Sequence, residues 1–399
     1  MSQLFSNLTL ATMTDGYGLI PDGAVVIEGD RVVWVGHRGQ IPGPYDELPP
    51  TDMGGRLMTP ALIDCHTHIV FGGDRAAEFE MRLNGASYEE VARAGGGILS
   101  TVTATRAASE DDLLKSALAR ADQIIAGGAA TIEVKSGYGL TVADELKMLR
   151  VARRISVERD VTVLTTHLAA HAIPPEFKGR GDAYIDEVAI PSLRSAHAEG
   201  LIDAVDAFCE GIAFSPAQVA RLFDVAVELG LNIKLHAEQL SDLKGAVMAA
   251  RYGAMSVDHL EYLAQDGVDA MAAAGSVAVI LPGAFYTLRE TTVPPIAALR
   301  AAGVALALAS DCNPGSSPIT SLTLVMNMAC TLFRMTPLEA LQGVTVHAAR
   351  ALRLADRGTI AAGQRADLAV WQAQHPAELS YRIGATPLHT LIIGGHLDA

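Results

Sequence analysis

The chain has 399 residues, half of them hydrophobic and only 19% charged, with a formal net charge of -15 and a sequence pI near 5.2. So acidic a balance excludes nucleic acid held on a basic face, and no apolar run is long enough to span a bilayer. The start Met1-Ser2-Gln3-Leu4-Phe5-Ser6-Asn7 lacks the basic and apolar parts of a secretory signal, so a cytoplasmic protein is expected.

From Leu8 to Met53 the residues read as short strands and turns. The run Ala24 to Val35 holds two β-rich stretches around Gly29-Asp30, the pattern of a hairpin. Thr359 to Trp371 and Leu391-Ile392-Ile393 have the same texture. The expectation is one small β-sandwich domain made from residues 1–56 and 358–399.

Between these ends, residues 57–357 alternate short β-rich runs with helical stretches. The runs are Leu62-Ile63-Asp64, Ile132-Glu133-Val134, Val161 to Leu164, Ala204 to Phe208, Ile233-Lys234-Leu235, Met255-Ser256-Val257, Val277 to Ile280 and Val304 to Leu308. Eight such runs suit a closed barrel, so the predicted fold class is α/β, a (β/α)8 TIM-like barrel carrying the terminal β-sandwich. Ser109 with Asp112 reads as a helix N-terminal capping pair, and Leu113, Leu114, Ala117, Ala121 and Ile124 keep one apolar stripe ended by Gly127-Gly128. Residues 141–158 repeat the design. The stretch from His68 to Ser109 is far longer than an ordinary strand-to-helix connection, and its Gly72-Gly73-Asp74-Arg75 and Gly95-Gly96-Gly97 suit a shaped loop over a site.

Barrel enzymes place their chemistry at the C-terminal ends of the strands. The first run leads into His66 and His68, which share one face because side chains on a strand alternate. The second leads into Lys135 and Tyr138, the third into His167 and His171, the fifth into His236, the sixth into His259 and the eighth into Asp311. Three imidazoles and a carboxylate, His66, His68, His236 and Asp311, suit one divalent ion with an open position for water. Water on such an ion ionises near a pKa of roughly 7, which is hydrolytic chemistry. The four cysteines, Cys65, Cys209, Cys312 and Cys330, show neither metal-type nor disulfide-framework spacing and read as small buried residues.

Asp64-Cys65-His66-Thr67-His68, with a His after the fifth and sixth runs and an Asp after the eighth, resembles the metal-dependent amidohydrolase superfamily over nearly the whole chain. Phe71 to Arg75, Glu133 to Gly139, Ala170 to Phe177, His236-Ala237-Glu238-Gln239 and Asp311 to Ser316 resemble the imidazolonepropionase family within it. That resemblance implies hydrolysis of 4-imidazolone-5-propanoate to N-formimidoyl-L-glutamate in histidine degradation, with zinc or iron as the metal and a homodimer as the assembly. Such a substrate needs an activated water at its ring carbonyl and a clamp for its carboxylate, to which Arg75 and Tyr138 are suited. By analogy His171, Gln239 and Ser316 hold the imidazolone, while Asn313 and Gly315 contact the glutamate-like product. His259 and Asp311 are the candidates for moving the proton.

Related deaminases carry a proton-shuttling Glu where this chain has Gln239, which is no base; Glu238 is adjacent but points to the opposite side of a strand. Lys135 raises the question of a carbamylated lysine bridging two metals, and one metal is the expectation. The rival readings are a deaminase of a nitrogen heterocycle, which has no carboxylate for Arg75, and a catalytically silent scaffold, which has no need of four intact ligands.

Overall fold

A computed structural model describes residues 2–86, 96–384 and 386–397. The chain opens with β1 (Ser2–Ala11), β2 (Leu19–Glu28), β3 (Arg31–His37) and β4 (Pro50–Pro60). It continues with β5 (Leu62–Asp64), β6 (Ala129–Lys135), β7 (Thr162–Ala170), β8 (Ala204–Cys209), β9 (Asn232–Ala237), β10 (Ser256–His259), β11 (Val277–Ile280) and β12 (Leu306–Leu308). It ends with β13 (Leu368–Trp371), β14 (Leu388–Ile393) and β15 (His396–Leu397).

β5 to β12 form one eight-stranded sheet in chain order, each strand parallel to the next. All eight β-rich runs of the sequence are among them. The sheet curls until its two edges meet beyond β5 and β12, where Thr67 bridges Cys312 in parallel fashion. There the His68 amide donates to the Cys312 carbonyl at 3.0 Å and the Asp311 amide to the His66 carbonyl at 2.9 Å. Strands covered on both sides are buried along their whole length, as all of β6 is. The helices outside present one apolar stripe: Ser109 caps Glu110–Ala126 by accepting from the Asp112 amide, and Thr141 does the same for Val142–Glu158. The long connection after His68 contains helices Ala76–Leu83 and Ile98–Ala107; Gly95 lies outside the described residues.

The terminal segments build a second, seven-stranded sheet in the order β15-β14-β13-β4-β1-β2-β3. The β2–β3 hairpin turns at Gly29-Asp30, with Gly29 in the left-handed region at a φ of 57°. The expected sandwich is a single continuous sheet whose two ends share a core, Phe5, Val25 and Ile27 packing in one cluster with Leu368, Val370 and Ile392. Trp371 joins this sheet to the barrel. Its Nε1–H donates to Thr59 Oγ1 at 2.9 Å, and its ring lies so close to Gly128, just before β6, that a Cβ there would sit 2.5 Å from it. Among the described residues no helix is long and apolar enough to cross a membrane.

Candidate active site and metal centre

The donors converge at the open end of the barrel. His66 Nε2 lies 3.2 Å from His68 Nε2, which lies 3.4 Å from His236 Nε2. Asp311 Oδ1 is 3.3 Å from His68 Nε2 and 3.5 Å from His66 Nε2. His66, His236 and His259 also bring one ring nitrogen each within 4.8 Å of one another. All five residues are buried.

The residues behind the donors decide what the ring nitrogens offer. His66 Nδ1 donates to Asp258 Oδ2 at 2.6 Å, and His236 Nδ1 lies 3.0 Å from Asp206 Oδ2. A carboxylate accepts only, so the His66 ring holds its proton on Nδ1 and turns an Nε2 lone pair inward. Lone pairs crowded at this distance, beside a carboxylate oxygen, fit a cation. Burial, followed by the neighbouring cations, depresses the His66 pKa far below its ordinary value, so the ring is a neutral ligand.

Beneath the donors lies a buried charge cluster that the sequence reading touched only at Lys135. The Lys135 ammonium donates to Glu133 at 2.7 Å and to Asp206 at 2.8 Å. Burial opposes its charge, but Asp206 and Glu133 outweigh that and hold it protonated. Lys135 thus makes an ion pair with two carboxylates at the end of β6. Lys234 donates to the Cys65 carbonyl at 2.7 Å and stands 3.7 Å from Asp258. Three carboxyl groups against two lysines leave the cluster on the negative side, which suits a cation above it. The missed signal was legible: Glu133, Asp206, Lys234 and Asp258 are charged residues inside strands that a barrel buries on both faces.

Three strand ends break through left-handed residues, Glu238 at a φ of 52°, His259 at 85° and Asp311 at 50°. Such backbone is costly for residues other than glycine and clusters at functional sites. Burial lowers the His259 pKa to about 3, so its imidazole is neutral. Burial raises the Asp311 carboxyl. Glu238 points away as expected and accepts from the Gly245 and Ala246 amides at 2.7 and 3.1 Å.

A cavity of ≈ 280 Å³ opens over the donors, and Arg75, Tyr138, His171, Gln239, Asn313, Gly315 and Ser316 all line it. Tyr138 is held by its loop: the buried Glu145 accepts from the Gly137, Gly139 and Leu140 amides at 3.0, 2.9 and 2.7 Å. Burial keeps its phenol protonated far above neutral pH, so its hydroxyl can donate. His171 stacks on His68 at 5.4 Å and gives its Nδ1–H to the Gly137 carbonyl at 3.0 Å. Asn313 Oδ1 accepts from the Gly315 and Ser316 amides, both at 2.8 Å, which shapes the turn. His167 is not brought to the site, for its Nε2 bonds Ser192 Oγ at 2.8 Å under the outer helix Ile190–Ala198. Arg120 stacks 3.3 Å above the Phe71 ring and donates to the Ile69 and Phe71 carbonyls, which fixes the turn between His68 and Arg75. The thiols are structural: burial raises Cys312 and Cys209 to about 12.

A family model described as the amidohydrolase family matches residues 57–397. The chain is 67% identical over 397 residues to a protein of Ruegeria pomeroyi named imidazolonepropionase, with 99% of each covered. It is 65% identical over 398 residues to one of Paracoccus denitrificans of the same name, with 99% of this chain and 100% of that one covered. The chain belongs to the amidohydrolase family, among its imidazolonepropionases. The Rhizobium meliloti relative of that name, 58% identical over 399 residues, covers 99% of this chain and is covered over 96%. Solved structures share the fold at low identity. A 5-methylcytosine deaminase from Klebsiella pneumoniae has a TM-score of 0.76 at 16% identity, covering 99% of this chain and 97% of its own. An N-isopropylammelide isopropylaminohydrolase from Burkholderia multivorans has 0.71 at 19%, covering 100% and 98%. Full-length identity of this order favours the imidazolonepropionase reading over a deaminase or a silent scaffold, and the superfamily's metal dependence agrees with the histidine-rich centre.

Proposed function

We propose that this enzyme hydrolyses the ring amide of 4-imidazolone-5-propanoate to N-formimidoyl-L-glutamate, using one zinc or iron ion per chain held by His66, His68, His236 and Asp311. The observation that carries the reading is that a cationic side chain, Arg75, and a neutral donor, Tyr138, share one cavity with the converging donors. A carboxylate arm and a ring carbonyl are the two ends of this substrate.

The ion, when bound, supplies an ionisable water near neutral pH and draws electron density from the carbonyl. Arg75 and Tyr138 bind the propanoate. His171, Gln239 and Ser316 orient the ring, and Asn313 with Gly315 receives the new carboxylate of the product. Water adds to the ring carbonyl carbon as Asp311 accepts its proton. Asp311 and the neutral His259 pass that proton to the departing ring nitrogen as the C–N bond breaks. Gln239, lacking a titratable proton, binds rather than shuttles. Residues 57–357 form the catalytic domain and 1–56 with 358–399 the terminal one, in a cytoplasmic homodimer without nucleic-acid partners.

The test is turnover of freshly generated 4-imidazolone-5-propanoate, with metal content measured on the same sample and Arg75→Ala beside it. Conversion by the wild type and a loss of roughly 100-fold or more in kcat/KM for the variant is expected from removing a bidentate ionic contact. A metal-loaded wild type that leaves this substrate intact, or that releases ammonia from a nucleobase, overturns the proposal.

A further inference from the structure

Arg75 does not stand alone in the cavity wall. Its Nε donates to Glu78 Oε2 at 2.8 Å and its Nη2 to Glu78 Oε1 at 2.5 Å, a two-pronged grip from behind. The same Oε1 lies 2.7 Å from Nη2 of Arg82, and the Gly97 amide donates to Oε2 at 2.7 Å. Glu78 thus ties helix Ala76–Leu83 to the residue that precedes helix Ile98–Ala107. The side chains of Arg82 and Ile98 line the cavity beside Arg75.

Ion pairs three and four residues apart on a helix are common and weak where water reaches them. This one is different in burial and direction. Glu78 is 8% exposed, and Arg75's side chain is 15% exposed. With two corners of the guanidinium gripped, the third, Nη1, takes no acceptor among the described residues and stands over Gly315, where a Cβ would lie 2.2 Å from it. Two guanidiniums against one carboxylate leave a single positive charge, which one carboxylate arm neutralises.

We infer that Glu78 is the positioning residue of the carboxylate clamp and that Arg82 is its second cation. Glu78 freezes the Arg75 rotamer before substrate arrives, so the arm meets a preformed fork rather than a flexible chain. The inference rests on the carboxylate-bearing substrate proposed above.

The experiment compares kcat/KM for 4-imidazolone-5-propanoate and for its propanamide, whose arm is neutral, in the metal-loaded wild type, Glu78→Asp and Arg82→Met. Glu78→Asp keeps the charge but draws the carboxylate back by one methylene, so it separates geometry from simple attraction. The expected result is a carboxylate-over-amide preference that falls about 10-fold or more in Glu78→Asp, chiefly through KM, the size of one charge-assisted contact. Arg82, 39% exposed and needed by no core, is expected to lose about 2–5-fold of the preference on replacement by Met. A preference kept within about twofold in both variants overturns the inference, as does an equal loss for both substrates in Glu78→Asp, the mark of a merely structural residue. A wild type that shows no preference at all refutes the carboxylate reading itself.

Discussion

Replacing Asp258 by Asn removes one charge from behind the metal donors while keeping the shape. Asp258 Oδ2 receives His66 Nδ1–H at 2.6 Å and its Oδ1 receives the Ser256 hydroxyl at 2.6 Å, both in full burial. An Asn can turn its carbonyl to His66 and its amide to Ser256, whose hydroxyl oxygen accepts, so the bond from His66 is kept. What is lost is charge. A charge-assisted bond is about twice as strong as a neutral one, and removing a carboxylate from behind a ligating imidazole weakens metal binding about 10–100-fold, which is about 1.4–2.7 kcal/mol. The pair is dry, so the upper half of that range is expected. Lys234, 3.7 Å away, keeps the Cys65 carbonyl and Glu133, and the fold survives. The assay is zinc affinity by competition with a chelator, run beside thermal melting of the metal-free chain. An affinity within about twofold of wild type, or a melting loss as large without metal as with it, refutes the idea that Asp258 acts by tuning His66.

Three further outcomes are expected. Gly315→Ala places a methyl 2.2 Å from Nη1 of Arg75, so the guanidinium that Glu78 grips is pushed off its position and KM rises about 10-fold; an unchanged KM means Arg75 is not held against that turn. Lys135, an ammonium between Glu133 and Asp206, predicts one ion per chain and full activity in bicarbonate-free buffer, checked by metal analysis and by reactivation with bicarbonate. Glu261 is buried with Oε2 lacking a partner among the described residues, and burial, reinforced by Glu290 and Asp311, raises its carboxyl to about 8. A folded-state pKa raised above the unfolded value means the native chain binds the extra proton, so stability is full below the unfolded pKa and falls as pH rises through 8. Glu261→Gln escapes that loss, and its advantage over wild type is expected to grow between about pH 5 and 9 by on the order of 2–4 kcal/mol; a flat difference in melting across that range overturns the assignment.

Much of this protein is written in local pattern. The eight β-rich runs are legible because a strand covered on both faces needs an unbroken apolar stretch, and Ser109, Asp112 and Thr141 announce helix starts through bonds within one turn. The donors His66, His68, His236, His259 and Asp311 are legible for a related reason: each lies at or just beyond the C-terminal end of a strand, and parallel strands deliver all their ends to one face. The seven-stranded sheet is less so, since its order sets β4 between β1 and β13, partners more than 300 residues apart in the chain. Only tertiary structure decides which charges support which ligand. Asp206 and Asp258 stand out in sequence as charges inside buried strands, but only curling of the sheet sets them beneath His236 and His66. His167 shows the converse: it sits near a strand end in the sequence, yet the side it takes on β7 sends it outward to Ser192. Glu78 reads as one more helix charge until the distant Gly97 amide bonds it. Local bonding is encoded within a few residues, whereas the pairing of buried charges depends on distances that exist only after the barrel has closed.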